Sequence, residues 1–394
     1  MCLNAYHTHM SERQPDFVDE CYADKDLSML QKLTLVIPTY NRNYYLSRCL
    51  WYHAHFPFGQ IIVADSSPEE KKVVNRETVE KIRSFFSANI LYLEYQPETE
   101  YYGGDIYRKW ADAIAHAETP FSQFCTDKEF LIPTTLTRSM SFLDERRDYV
   151  TAEGVVYQLR GSENTGYDLT PWQKVSPVTA ECETERLKTA WERVTGALFS
   201  VYRTEEHQII YQNLLDFNID DIRYGETAIE IQPLVMGKIQ KFHDLNGRVR
   251  DISHLKTESL VSNINTKESS FTRYPRIQDY PEDVGGRLLG NLQRCCCSLS
   301  SDSKIPYEMI SEIVAEIFQH RYNSGIGLYD KVKIVRVLWN KIPLTFQRRF
   351  KRLIGFGDTQ FTAEELGSEI VLITNIIRDT ENCHQNDEPI PVYL

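Results

Sequence analysis

Three short apolar runs separated by stretches of helical periodicity, and a fourth that ends in a cluster of acids, limit what this chain can fold into. Residues 32–38 read KLTLVIP, and a proline with the turn residues Thr39, Asn41 and Arg42 ends the run. Residues 60–64 (QIIVA) stop at Asp65-Ser66-Ser67-Pro68, a third run covers 90–95, and 122–126 leads into Asp127-Lys128-Glu129. Apolar runs of this length, closed by Pro, Asn, Asp or Ser, read as buried strands. Between them, Tyr45, Leu46, Cys49, Leu50 and Tyr52 fall at helical intervals. Val73, Val74, Val79 and Ile82 are interleaved with charges, and 106–117 continues the helical pattern. Strands alternating with helices predict an α/β fold with a mostly parallel sheet covered on both faces, binding its ligand at the carboxyl ends of the strands. The informative polar residues stand at those ends.

Beyond Pro133 the pattern predicts a helix to about residue 147, a strand near 151–159 and a polar, turn-rich loop over 160–188 that would line the site. An apolar strand at 194–202 and helices at 205–216 and 226–236 follow. Residues 257–281 are polar and poor in large aliphatics, and 282–394 is helix-patterned, with Met309, Ile310, Ile313, Val314, Ile317 and Phe318 on one stripe. A chain of 394 residues exceeds what one core usually supports. The expected organisation is an extension over 1–31, an α/β domain over 32–256, a linker over 257–281 and a helical domain over 282–394.

The balance of 44 basic against 56 acidic residues gives a net charge of −12, which argues against binding nucleic acid through the whole surface. No apolar stretch of about 18 residues predicts a transmembrane helix. The acidic first 32 residues lack the apolar segment of a secretory signal. Nine cysteines without metal-ligand spacing suit a reducing cytoplasm, with Cys295, Cys296 and Cys297 read as packing residues. The stretch 341–352 gathers Lys341, Arg348, Arg349, Lys351 and Arg352 among apolar residues. It reads as a solvated face or a subunit contact in a homo-oligomer, or as a peripheral contact with an anionic membrane.

The run Leu35-Val36-Ile37-Pro38-Thr39-Tyr40-Asn41-Arg42, with Leu46 and Leu50 after it, resembles the opening of the family 2 glycosyltransferases of GT-A fold. Three further segments fall in that family's order. Residues 61–67 resemble its second strand, whose terminal acid meets the nucleoside. Asp127-Lys128-Glu129 resembles its metal-binding acid-x-acid element, and Arg223-Tyr224-Gly225-Glu226 stands where the family places its acceptor-side acid. The resemblance spans about residues 33–254. It implies a GT-A-like, Rossmann-type sheet, a nucleotide-sugar donor (a UDP-sugar first), a glycan or lipid-linked glycan acceptor, a divalent metal (Mn2+ or Mg2+) and inverting transfer. It assigns Pro38, Thr39, Tyr40, Arg42, Asp65 and Asp127 to the donor. Separately, Tyr102-Gly103-Gly104-Asp105 precedes a helix from which Lys109 could reach the diphosphate, glycines before a helix allowing close backbone approach to phosphate. The resemblance gives Asp127, Glu129 and His254 to the metal, and Glu226 is the base, with Asp221 and Asp220 as competitors. Two departures stand out: Lys128 separates an Asp from a Glu where the family ends on Asp, and Thr227 follows Glu226 where it often has Asp.

The chemistry behind these roles is general. Transfer leaves a nucleoside diphosphate whose growing charge must be neutralised, and a carboxylate-held cation does this. A second carboxylate takes the proton of the attacking hydroxyl, and Gly225 would let the chain turn so that Glu226 opens its helix toward the site. Each residue also has a plain reading. Acids favour strand-end turns, Asp65 could cap the next helix, Lys109 could pair with Asp105 at i, i+4, and Glu226 could sit at a helix start without function. Trp110, Trp172 and Trp191 could stack on sugar rings or pack in the core. The rival from another class is a non-catalytic nucleotide- or glycan-binding module.

Overall fold

The computed structural model describes residues 21–22, 24–97, 105–162, 166–171, 176–192, 197–251, 282–300, 307–323, 369–370, 372–373 and 376–377. Its first part follows the predicted alternation: β1 (Leu33–Thr39), α1 (Asn43–Ala54), β2 (Gln60–Asp65), α2 (Glu69–Phe86), β3 (Ile90–Glu94), α3 (Asp105–Ala115) and β4 (Phe121–Phe124). Then come β5 (Glu129–Leu131), α4 (Pro133–Glu145), β6 (Tyr149–Ser162), β7 (Gly166–Pro171), α5 (Glu183–Glu192), β8 (Val201–Arg203), α6 (Thr204–Asp216), α7 (Ile222–Met236) and β9 (Lys238–Asp251). Helices α8 (Glu282–Cys297) and α9 (Tyr307–Asn323) follow.

The sheet runs β3-β2-β1-β4-β8-β6-β9-β5, with β7 paired to β6. Strands β3, β2, β1 and β4 are parallel, as expected. The remainder is mixed: β8 is antiparallel to β4 and β6, β9 is parallel to β6, and β5 is antiparallel to β9. The segment 160–188, expected as one loop, contains the end of β6, strand β7 and part of α5. Strand β9 carries no sequence signal because its buried positions include Lys241, Arg248 and Asp251. Burial of those charges depends on partners from distant strands.

Alternation along β1 explains why its run is apolar throughout. Leu33, Leu35 and Ile37 enter one core with Leu46, Cys49 and Leu50 of α1 and Leu136 and Met140 of α4. Val36 enters the other, with Ile62, Phe124, Ala113 of α3 and Tyr211 of α6. The described C-terminal helices add to this second core through Leu288, Leu292, Cys295, Cys296, Val314 and Ile317. Ile370, Ile373 and Ile377 join the first. Cys295 and Cys296 are packing residues, as expected. Among the described residues no helix is long and apolar enough to cross a membrane.

The connection from β4 to β5 bends the sheet. The strands are four places apart in the sheet order, about 19 Å if it were flat. The link over 125–128 has five Cα steps, which reach about 18 Å at full extension. It is also folded into a turn, with Glu129 N donating to Thr126 O at 2.9 Å. The sheet therefore curls until β5 comes back beside β4, and Asp127-Lys128-Glu129 lies on the seam.

His207 on α6 tests the packing behind β4. It is buried, stacks on Tyr202 with ring centroids 4.5 Å apart, and its Nδ1 lies 2.9 Å from Ser122 Oγ. Burial pushes its pKa down from 6.5 to about 3. The native imidazole stays neutral while the unfolded one takes a proton, so this contribution is complete above about pH 6.5 and is lost as the pH falls toward 3. Urea unfolding between pH 7 and 4 is expected to show a shallower loss of stability for His207→Gln than for the parent, by up to about 1.4 kcal/mol per pH unit.

Candidate active site

The chain order places β2 and β3 on one side of β1 and β4 on the other. Such a reversal opens a crevice at the carboxyl ends of the two central strands, where open α/β sheets bind ligands. β1 ends there in Thr39, Tyr40, Asn41 and Arg42, and β4 leads there into Thr126 and Asp127. Asp127 Oδ2 accepts from Thr39 Oγ1 at 3.0 Å, and Oδ1 accepts from Arg42 Nη1 at 3.3 Å. The Asp127 side chain is 2% exposed and that of Arg42 27%. Asn41 sits in the left-handed region at φ 55°, which Asn tolerates better than most residues, and its N–H donates to Ser67 Oγ at 2.8 Å. Ser66 N donates to Thr39 O at 3.2 Å, and Lys109 Nζ on α3 donates to Ser66 Oγ at 2.7 Å. Thr39, Arg42, Lys109 and Asp127 are thus linked by contacts. Pro38 pairs with Ala64 in the β1–β2 ladder, and Tyr40 is half-buried on the same turn.

Asp65 differs from its expected role. It is closed to solvent, and its carboxylate accepts from Ser67 N at 2.8 Å, Asn75 Nδ2 at 2.7 Å and Tyr92 OH at 2.6 Å. Burial and the Asp65 carboxylate together raise the Tyr92 phenol. Nor does Asp65 cap α2, whose N-cap Pro68 has no side-chain cap bond. It forms a turn with its own backbone two residues on and thereby shapes the Ser66-Ser67 loop.

The acid-x-acid element is arranged differently from a cation site. Glu129 is 0% exposed, and its Oε2 accepts from Arg248 Nη1 at 3.1 Å and from Thr126 N at 3.2 Å. Arg250 Nε lies 3.8 Å from Oε1. Arg248 also meets Glu153 at 3.2 Å, and Glu153 accepts from Lys241 Nζ at 2.6 Å. Burial alone would lower the Arg248 guanidinium, but Glu129 and Glu153 hold it above its ordinary value. Lys128 turns its ammonium over the Tyr45 ring at 4.5 Å, and its carbonyl accepts from Asp251 N at 2.9 Å. Asp251 in turn pairs with the buried Arg48, whose guanidinium lies over Tyr45 at 5.0 Å and Phe130 at 5.4 Å.

Asp127 and Glu129 are therefore drawn to different arginines, and His254 lies outside the described residues. As they stand, these side chains do not fit a divalent cation. Among the described residues the one group of three potential ligands is elsewhere: Cys49, His53 and Cys125, all buried, with donor atoms within 4.8 Å of one another. Burial would raise the Cys49 thiol, but Cys125 and His53 bring it below its ordinary value. Both His53 nitrogens are engaged, Nδ1 with Cys49 O at 2.8 Å and Nε2 with Leu131 N at 3.3 Å, as in a satisfied core histidine. The i, i+4 spacing of Cys49 and His53 was the available signal, and Cys125 is far from both in sequence.

The expected opening of the acceptor-side helix is also revised. α7 begins at Ile222, so Asp221 precedes it and caps it, accepting from Tyr224 N at 3.2 Å. Gly225 lies inside the first turns, and a Cβ there would stand 2.2 Å from the Tyr107 ring. Its role is to admit Tyr107, whose OH donates to Ile222 O at 2.7 Å, rather than to turn the chain. Glu226 is half-buried on this helix. Tyr107 thus docks α7 on α3, which carries Lys109 two residues further on. Trp110 packs in the core, stacked on Phe124 at 5.2 Å. Trp172 and the Trp191 side chain lie outside the described residues, as do Tyr102, Gly103 and Gly104 and the basic stretch 341–352.

No family model matches the chain, and no curated protein matches it. Among solved structures the chain is similar to residues 1–349 of S. aureus TarS in complex with UDP-GlcNAc, with a TM-score of 0.45, 15% identity and coverage of 91% of this chain and 93% of that one. Against S. aureus TarS the TM-score is 0.38 at 16% identity, covering 73% of this chain and 54% of that one, so the chain spans about half of that protein. The mannosyltransferase PcManGT from Pyrobaculum calidifontis, in complex with GDP-Man and Mn2+, gives 0.40 at 12% identity over 82% of this chain and 80% of that one.

Arg248 is the test of the buried network under the seam. Arg248→Met leaves Glu129 and Glu153 without their shared partner and is expected to cost about 3–5 kcal/mol in chemical denaturation. Adding Glu129→Gln to that variant should recover part of the loss.

Proposed function

We propose that this chain is a glycosyltransferase that moves a sugar from a nucleoside-diphosphate sugar, a UDP-sugar in the first instance, to a hydroxyl of a glycan or lipid-linked glycan. The observation that carries the reading is the linkage of Thr39, Arg42 and Asp127 across the β1–β4 switch point, where an α/β sheet takes a nucleotide. In this reading Pro38, Thr39 and Tyr40 form the wall for the nucleoside, and Arg42 offers its guanidinium to the phosphates. Asp127 accepts from a donor hydroxyl. Asp65 acts one layer back, by fixing the Ser66-Ser67 turn that Lys109 grips. Glu226 takes the proton of the acceptor hydroxyl as its oxygen attacks the anomeric carbon from the face opposite the leaving diphosphate, which inverts the configuration. Asp221 positions that helix through its cap.

A second reading, a binding module that has lost transfer, is favoured by the burial of Glu129 against Arg248. Turnover of UDP-sugars, followed as UDP release with a saccharide acceptor present, separates the two. Tight nucleotide binding without release over hours selects the module.

For the transferase, Asp127→Asn should lower kcat/KM at least about 100-fold, a loss of roughly 2.7 kcal/mol in transition-state stabilisation. Glu226→Gln should lower kcat by about 10²–10⁴ with the donor Kd unchanged, as the loss of a general base requires. Unchanged kcat in Glu226→Gln would move the base elsewhere.

A further inference from the structure

The charges around the seam have the wrong sign for a cation and the right one for a phosphate. Six basic side chains, Arg42, Arg48, Lys128, Lys241, Arg248 and Arg250, connect through ion pairs and backbone contacts to four acidic ones, Asp127, Glu129, Glu153 and Asp251. The cluster is net positive in a chain whose net charge is −12. Every carboxylate in it already meets an arginine or a lysine, and the middle position of the acid-x-acid element is itself a lysine. A divalent cation brought here would displace a guanidinium and meet surplus positive charge. A diphosphate would meet attraction, strengthened because most of these groups are withdrawn from water. Two of the basic side chains are open to solvent, Arg42 at 27% and Arg250 at 28%, and both are tied to the turn over 127–129. A planar guanidinium can hold a carboxylate on one edge and a phosphate on another.

We infer that Arg42 and Arg250, backed by Lys128, neutralise the diphosphate of the donor and of the leaving nucleotide, so that nucleotide binding needs no divalent cation. This rests on the nucleotide-sugar reading above and puts arginines where the resemblance implied a divalent cation. Asp127 accepts from Arg42 and Glu129 stands 3.8 Å from Arg250, which gives the acid-x-acid carboxylates a positioning task rather than a ligating one.

The test is calorimetric titration of the full chain with UDP, GDP, CDP, ADP and dTDP, each in EDTA and again in Mn2+ or Mg2+. The expected result is binding of at least one of them in EDTA with a Kd within about twofold of that in metal, weakening as salt rises. Arg42→Ala and Arg250→Ala should each weaken that nucleoside diphosphate at least tenfold while leaving the parent nucleoside unchanged. Thermal melts without nucleotide would check that both variants are folded. Arg42→Lys, which keeps the charge and loses the fork, should fall between. Binding that appears only with Mn2+ or Mg2+ overturns the inference and leaves the nucleotide-sugar reading standing. Binding in EDTA that neither substitution weakens overturns the assignment to these arginines. No binding of any of the five under either condition overturns the nucleotide reading, and the inference with it.

Discussion

Four residues, 125–128, carry the chain from β4 to β5 although the two strands stand four places apart in the sheet order, and the sheet has to curl to allow it. That closure sets Glu129 beside β9 and exposes the next problem, a carboxylate with no access to water. Such a group persists only with a matched partner, since the desolvation of one buried ion costs several kcal/mol. Arg248 supplies the partner, and Glu153 and Lys241 continue the pairing onto β6 and along β9. Curl, register and buried charge therefore depend on one another. A one-residue slip of β9 would carry Arg248 to the opposite face and leave both glutamates alone.

The same seam shapes the crevice at the switch point. Asp127 lies in the link after β4, two residues before Glu129 enters the network, and its carboxylate is held against the end of β1 by Thr39 and Arg42. On the other side, Asp65 is spent on the turn after β2, and that turn presents Ser66 to Lys109. The crevice is thus lined by side chains whose positions are set by acids behind them. The network around the seam itself carries six basic side chains against four acidic ones.

Much of the fold was legible in the residues alone. Strands β1 to β4 and the helices between them came from short apolar runs and helical spacing, because burial on both faces of a parallel sheet leaves continuous apolar stretches. The convergence of Thr39, Arg42 and Asp127 was legible too, since strand ends in such a sheet share one edge. Strand β9 was not, because Lys241, Arg248 and Asp251 make it read as a surface segment. Strand β5, three residues long, offers too little pattern, and α7 was expected four residues late because Gly225 looks like a turn until Tyr107 is seen against it.

By itself the sequence determined where the chain is buried and where its strands end, because those properties follow from the local period of apolar residues. It also determined which chemical groups stand at the strand ends. Only the tertiary structure decided what each charged group faces: that Glu129 meets an arginine 119 residues away, that Asp65 is closed within its own turn, and that Gly225 makes room for Tyr107. The physical reason is that the state of a carboxylate depends on the nearest opposite charge and on its access to water. Both are set by chain segments far apart in sequence that only the curl of the sheet brings into contact.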